Sequence, residues 1–286
     1  MTSEPEPFPR PPLDTAALEA ALVRPGGLWR RIEVLPETGS TNTDLAARAA
    51  AGAPHGSVLV TEHQTAGKGR LGRGFSVPPR AALTVSLLVR PAAPVSALGW
   101  LSPLMGVAGV GAVRRLTGVK ASLKWPNDVI VPAGLRAGAG RADGKLAGIL
   151  AEVDFSSGSP AVVVGIGVNV SQSRSELPVD NAVSLRGEGS TALDRGALLA
   201  AVLGEFEELY TEWDAAGGDA EAGGLAPAYR DMCATVGRRV RVHLPGGRTL
   251  DGTATGVDSQ ARLLVRGPGG ERALSAGDVV HVRPGD

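Results

Sequence analysis

The chain has 286 residues, 43% of them hydrophobic, which is enough for one large domain or for a medium domain with a small appendage. Its 29 Lys and Arg are matched by 29 Asp and Glu, so net charge gives no ground for general nucleic-acid binding. Cys233 is the only cysteine, which excludes an intrachain disulfide and a cysteine-rich metal site and agrees with a reducing, cytoplasmic setting.

Residues 1–12 are proline-rich without an apolar core, so they read as a frayed leader and neither as a signal peptide nor as a membrane span. A short helix is expected over about 15–23, stopped by Pro25-Gly26-Gly27, and a first strand over 32–35. Thr41 followed by Asp44 resembles a capping box that opens an alanine-rich helix closed by Gly52 and Pro54. Ser40-Thr41-Asn42 then sits at a helix N-terminus. Strands are expected over 57–62 and 83–89, a long apolar helix over about 95–116, and strands near 121–125 and 145–153, the last pairing with 160–170 as a hairpin. The polar stretch 171–189 reads as a long, mobile loop able to act as a lid.

An amphipathic helix follows over 195–213, with Leu198, Leu199, Val202, Phe206 and Leu209 at helical spacing. Beyond Cys233 the pattern changes to short strands over 240–244, 250–257, 263–265 and 279–282. Pro245-Gly246-Gly247 and Gly267-Pro268-Gly269-Gly270 separate them, the pattern of a small β-barrel of roughly 50 residues. The expected division is a leader with a short helix (1–30), a main domain (31–232) and a C-terminal barrel (233–286).

Chemistry concentrates in one region. Between Glu62 and Asp128 there is no acidic residue, whereas Lys68, Arg70, Arg73, Arg80, Arg90, Arg114, Arg115, Lys120 and Lys124 all fall there. Within it, Thr65-Ala66-Gly67-Lys68-Gly69-Arg70-Leu71-Gly72-Arg73 interleaves glycines with cations, so backbone N–H groups and side-chain charges can both reach a phosphate or carboxylate. The formal G-x-G-x-x-G here fails as a dinucleotide fingerprint. Pro78-Pro79 interrupts any following helix, and no acid stands about 20 positions on to hold a ribose. A kinase loop is disfavoured by the lack of H-R-D and D-F-G elements.

Four more segments occur in order around this loop: Ser40-Thr41-Asn42, Lys124-Trp125-Pro126-Asn127-Asp128, Lys145-Leu146-Ala147-Gly148-Ile149 and Gly165-Ile166-Gly167-Val168-Asn169-Val170. Together they resemble the biotin protein ligases, over roughly 32–170. The resemblance implies an α+β, mixed-sheet catalytic domain followed by an SH3-like barrel. Some members add an N-terminal winged-helix domain. The leader is too short for one, so the chain looks like the monofunctional type, with no nucleic acid or membrane among its partners.

The implied reaction joins biotin and ATP, with Mg²⁺, into biotinoyl-5'-AMP and pyrophosphate. A lysine of a biotin carboxyl carrier domain of acyl-CoA carboxylases then takes the biotinyl group. By this resemblance Lys145 and Arg70 are catalytic. Ser40, Thr41, Asn42, Gln64, Lys68, Gly69, Arg70, Lys145 and Gly148 bind biotin, whose ureido head needs both acceptors and donors. Arg70, Arg73, Phe75, Lys124, Asn127, Lys145 and Asn169 bind ATP, while Asp128 either holds the metal indirectly or orients a lysine. Two positions depart from the family's usual loop. Lys68 stands where Arg is common and forgoes a bidentate contact, and Phe75 stands where Trp is common and lacks the indole N–H.

The enzymatic alternative is a lipoate or octanoate ligase, against which Lys124-Trp125-Pro126-Asn127-Asp128 and the lack of a triple-glycine histidine motif count. From other classes, a non-catalytic biotinoyl-AMP-binding regulator and an inactive barrel-mediated scaffold remain.

Overall fold

A computed structural model describes residues 8–137, 142–156, 158–244, 246–275 and 277–281. Most of the leader's first part (1–7), the turn residue Pro245 and the expected strand end Val282 therefore lie outside the described residues.

From residue 8 onward the leader is tied down, contrary to the expected fraying. Arg10 forms a two-pronged pair with Glu176, its Nη2 2.7 Å from Oε2, and its Nε donates to Ser171 Oγ at 3.0 Å. Arg195 donates to the Pro11 carbonyl at 2.6 Å and to the Glu62 carboxylate, which in turn accepts the Leu13 N–H at 2.7 Å. Asp14 caps helix α1 (Thr15–Leu22) by accepting from Ala17 N, and Leu18 and Leu22 face the core.

Strand β1 (Arg31–Leu35) leads to α2 (Thr41–Ala50) and β2 (Ser57–Thr61). The cap of α2 is Ser40, whose Oγ accepts from Thr43 N, and not Thr41; the expected capping box is displaced by one residue because Thr41 already belongs to the helix and its hydroxyl is used elsewhere. A two-stranded ribbon, β3 (Gly67–Lys68) with β4 (Gly74–Phe75), folds the basic loop back on itself. After β5 (Ala82–Val89), the expected single helix is two elements: a 3₁₀ segment at Val95–Trp100 and α3 (Leu101–Thr117). The continuous helical stretch Val95–Thr117 is apolar and long enough to cross a membrane, but 72% of its most apolar window is buried within the protein, as befits a core helix.

Strands β6 (Ser122–Lys124), β7 (Asp128–Val131), β8 (Gly144–Asp154) and β9 (Ala161–Asn169) complete the main sheet. Sequence reading missed β7, four residues bracketed by Pro126 and Pro132. The sheet order is β1-β2-β5-β9-β8-β7-β6, parallel only between β1 and β2, so it is mixed as expected. On one face lie α3 and α4 (Arg195–Ala215), with Leu83, Val85, Leu87 and Val89 of β5 inside the large core. On the other, α2 packs Leu45 and Ala49 on Leu59, Leu88, Ala161 and Val163. Because strand side chains alternate, the remaining inward positions of β5 on the α2 face, Thr84 and Ser86, point toward the end of α2.

The 171–189 stretch is not a free lid. It contains a short 3₁₀ turn at Arg174–Glu176, and Lys145 N donates to Asn181 O at 2.6 Å while Val183 N donates to Lys145 O at 2.9 Å. Several of its polar residues bond inside: Gln172, Ser184 and Asn169 are buried, Gln172 Nε2 donates to Asn169 Oδ1 at 3.1 Å, and Ser184 Oγ donates to Gln172 O at 2.6 Å. Polarity at these positions marks internal hydrogen bonding, while Arg174 and Asp180 stay exposed.

After α4 comes α5 (Leu225–Met232), missed because it is short and carries Pro227, which a first helical turn tolerates. The C-terminal part is an antiparallel sheet in the order β13-β12-β11-β10-β14, built from β10 (Arg239–His243), β11 (Thr249–Val257), β12 (Leu263–Gly267), β13 (Gly270–Leu274) and β14 (Asp278–His281). Its edge strand β13 has no apolar alternation and was not foreseen. Two tryptophans of the main domain dock on the turn before β12: Trp100 Nε1 donates to Ser259 O at 2.8 Å and Trp125 Nε1 to Ala261 O at 3.2 Å.

Candidate active site

One cavity of about 750 Å³ gathers the candidate site residues: Ser40, Thr41, Asn42, Gln64, Lys68, Gly69, Arg70, Arg73, Phe75, Lys124, Asn127, Asp128, Lys145, Gly148 and Asn169 all line it, whereas Arg80, Arg90, Arg114, Arg115 and Lys120 of the acid-free stretch do not. Its floor is β8 with β9 and β5, and its two ends differ chemically.

At the first end, the α2 N-terminus meets Gln64. Gln64 Oε1 accepts the Thr41 N–H at 2.8 Å, which fixes the orientation of that amide, and it lies 3.1 Å from Thr41 Oγ1. Asn42 Nδ2 donates to Leu150 O at 3.1 Å and to Glu152 Oε2 at 2.8 Å, so Asn42 Oδ1 faces the other way. Ser86 Oγ, fully buried, lies 2.7 Å from both Thr41 Oγ1 and Asn42 Oδ1. Three oxygen–oxygen contacts thus share two hydroxyl protons, so one of these oxygens is left as an acceptor without a donor and can accept a ligand N–H. Gly165 is required beneath it, since a Cβ there would stand 2.1 Å from Asn42 Oδ1.

At the second end, Lys145 Nζ pairs with Asp128 Oδ1 at 2.7 Å. Asn127 Oδ1 accepts from Arg70 Nη1 at 3.3 Å, and Asn127 Nδ2 donates to Ile149 O at 2.7 Å, so the corner after Trp125 ties the basic loop to β8. Trp125 itself is buried and faces the C-terminal sheet, which makes it part of the corner's frame. Among the described lining residues Lys68, Arg70, Arg73, Lys124 and Lys145 are cationic and only Asp128 is a carboxylate, so the local potential favours an anion.

The Phe75 ring packs on Gly167, where a Cβ would come within 2.8 Å of ring carbons. Asn169 lines the cavity, yet its amide is engaged with Val183 O at 3.0 Å and Gln172 Nε2 at 3.1 Å, holding the 171–189 segment in place. Gly148 lies beside Lys145, 3.6 Å from a Cβ position to Lys145 Nζ.

Several lining residues were not foreseen: Thr84 and Ser86 from β5, Pro178, Val179, Asn181 and Ala182 from the tied-down loop, and His243, Val279 and Val280 from the C-terminal sheet. A serine within the eight-residue apolar run of β5 was the available signal for Ser86. Along β8, Lys145 stands five residues before Leu150, whose carbonyl holds Asn42, so the ends are separated by roughly 16 Å of strand.

A donor-seeking pocket joined end to end with an anion-seeking one, on a mixed sheet carrying an appended β-domain, defines an enzyme that activates an organic acid against a nucleotide. Comparison with known proteins agrees. Residues 34–169 match the Biotin/lipoate A/B protein ligase family, and residues 235–282 match the Biotin protein ligase C terminal domain. The biotin–[acetyl-CoA-carboxylase] ligase of Mycobacterium tuberculosis is 44% identical over 96% of this chain and 97% of that protein. That of Paracoccus denitrificans is 31% identical over 86% and 98%. The structure of the Aquifex aeolicus biotin protein ligase in complex with biotin and ATP superposes with a TM-score of 0.70, at 25% identity, over 90% of this chain and all of that one. The chain belongs to the biotin protein ligases.

Proposed function

We propose that this chain activates biotin with ATP to biotinoyl-5'-AMP and then transfers the biotinyl group to a lysine of the biotin carrier domain of an acyl-CoA carboxylase. The observation that carries the reading is the position of Lys145, at the cationic end of a single cavity whose other end presents an acceptor oxygen short of a donor. The names and bound molecules of the relatives point the same way.

In the first half-reaction a biotin carboxylate oxygen attacks the α-phosphorus of ATP; the new O–P bond forms as the bond to pyrophosphate breaks. Carboxylate and phosphate approaching to 4 Å repel by about 4 kcal/mol at an effective dielectric near 20. Lys145 and Arg70 offset this, each held by a neighbour, Asp128 and Asn127, so that the charge is in place before the reactants meet. Arg73, Lys124 and Lys68 add positive charge for the phosphates, and the Phe75 ring offers an apolar face to a base. The ureido head of biotin occupies the Ser86, Thr41 and Asn42 end, where its N–H groups meet acceptors.

Among the described residues no three His, Cys, Asp or Glu side chains cluster to cage a metal, and Asp128 is already paired with Lys145. Mg²⁺ would therefore come held by the nucleotide's own phosphates, whose charge it offsets. In the second half-reaction the neutral carrier amine attacks the carbonyl carbon of the mixed anhydride, and AMP leaves with the bond electrons while Lys145 stabilises its phosphate. Buried Cys233, the only thiol, fits a reducing cytoplasm.

The test is incubation with α-labelled ATP and biotin, with lipoate in parallel. Biotin-dependent labelled acyl-AMP is expected; adenylate with lipoate alone would replace the substrate, and none with either acid would remove the activity.

A further inference from the structure

His281, at the end of β14, has only 8% of its side chain exposed and uses both ring nitrogens. Nδ1 lies 2.8 Å from Asp143 Oδ2, and Nε2 lies 3.0 Å from Thr235 Oγ1. The Asp143 carboxyl is held down to about 2, chiefly by the His281 hydrogen bond, so it is an ionised acceptor and Nδ1 must carry the proton. Thr235 is fully buried and accepts the Trp125 backbone N–H at 3.1 Å. Thr235 Oγ1 and His281 Nε2 share one hydrogen bond, so Asp143, His281, Thr235 and Trp125 form one connected chain. Arg238 Nη1 lies 3.3 Å from His281 Nδ1 and 3.8 Å from Asp143 Oδ2, and Asp143 Oδ1 accepts the Ala133 N–H at 3.0 Å, so Asp143 is held from both sides.

Both ends of this chain stop next to the reacting groups. Asp143 immediately precedes the first residue of β8 and lies two positions before Lys145, and Trp125 lies three before Asp128. The β7–β8 ladder pairs Asp128 with Gly148 but Ile130 with Lys145, with its register shift lying between Val129 and Ile130, and such a bulge sets where neighbouring side chains aim. The chain from His281 braces the two segments on either side of that bulge, before Lys145 and before Asp128.

We propose that His281 is a positioning residue for adenylate formation: through Asp143 on one side and Thr235 with Trp125 on the other, it brackets the two segments that carry Lys145 and Asp128, and makes the C-terminal sheet part of the first half-reaction. The proposal rests on the ligase reading above. It predicts that the bracket governs the phosphate end of the cavity and leaves the Ser40, Asn42 and Gln64 end untouched.

The experiment uses the full chain in biotin-dependent exchange of pyrophosphate into ATP, beside direct measurement of biotin binding and a thermal melt. Thr235→Val, which keeps shape and loses the hydroxyl, should lower kcat/KM for ATP by about tenfold or more with biotin affinity within about twofold. Thr235→Ser restores the hydroxyl and should recover to within about threefold of the unsubstituted protein. In a Lys145→Gln background the Thr235→Val step should cost less than about threefold, because the group it positions is gone.

Full activity of Thr235→Val, equal losses of biotin and ATP binding, failure of Thr235→Ser to recover, or an undiminished cost in the Lys145→Gln background would each overturn the bracket. Should His281→Asn fail to fold, the threonine pair decides alone. Absence of exchange in the unsubstituted protein would instead remove the ligase reading, and the bracket's purpose with it.

Discussion

Replacing Lys145 by Gln tests the charge argument most directly. The side chain stays polar, is one atom shorter, and loses its charge. The Lys145–Asp128 pair is partly exposed, at 37% and 25%, so its contribution to folding is small, on the order of 1 kcal/mol or less. The fold should therefore survive, and any large effect belongs to the reaction. If Lys145 offsets the roughly 4 kcal/mol repulsion between carboxylate and α-phosphate, its loss lowers the rate of adenylate formation by a factor approaching about 10³. Arg70, held by Asn127, retains part of the compensation, which places the expected loss nearer 10² to 10³, as for removal of a single oxyanion donor.

The assay is biotin-dependent pyrophosphate exchange at saturating ATP, with biotin affinity measured separately. Asp128→Asn supplies the second half of the test. If that carboxylate serves only to orient Lys145, adding Asp128→Asn to Lys145→Gln costs nothing more, whereas alone it costs less than Lys145→Gln does. Exchange within tenfold of the unsubstituted protein after Lys145→Gln, in a chain that still melts normally, would refute the role given to this lysine.

Three other outcomes are expected. Gly165→Ala puts a methyl 2.1 Å from Asn42 Oδ1 and must displace that side chain, so KM for biotin should rise at least about tenfold with KM for ATP little changed; an unaltered biotin KM would deny the acceptor end its role. Arg70→Gly removes the donor to Asn127 along with a cation, so the adenylate should leave the protein faster, read by filtration of labelled adenylate; identical dissociation would count against the loop as a retaining element. Acid should loosen the molecule in two steps, the first beginning below about pH 6.5 as His55, whose burial holds its pKa down, has to take up a proton, and the second from the carboxyls. The Arg10 guanidinium holds Glu176 down to about 2, from an ordinary 4.5, and His281 holds Asp143 down to about 2, from 3.8. A depressed carboxyl contributes stability that is complete above its unfolded value and lost as pH falls through its folded value, so these two carboxyls should add a fall in melting temperature between about pH 4.5 and 2. Asp143→Asn should flatten part of that fall, and an unchanged acid profile in it would contradict the assignment.

The motifs that sequence reading picked out all reach one cavity because each is a short segment whose residues act close to where the chain puts them: a helix start at Ser40, a strand end at Gln64, a proline corner before Asn127, a strand start at Lys145. What stayed hidden depended on partners distant in sequence. Ser86 is polar within an apolar strand, and only the pairing of β5 beside β9 and under α2 turns it toward Thr41 and Asn42. Part of the stretch after Asn169 is polar for the opposite reason from the one its composition suggests: Gln172 and Ser184 are fully buried and hydrogen-bonded to their own segment and to Asn169, and Lys145 pairs with that segment through its backbone. The same physical fact underlies both errors. A buried polar side chain needs a partner, and when the partner lies far along the chain, composition cannot separate a satisfied interior group from a solvated one. The hydrogen bonds that run from the C-terminal sheet to Trp125, more than a hundred residues away, are the extreme case, since neither His281 nor Thr235 has any local feature to mark it.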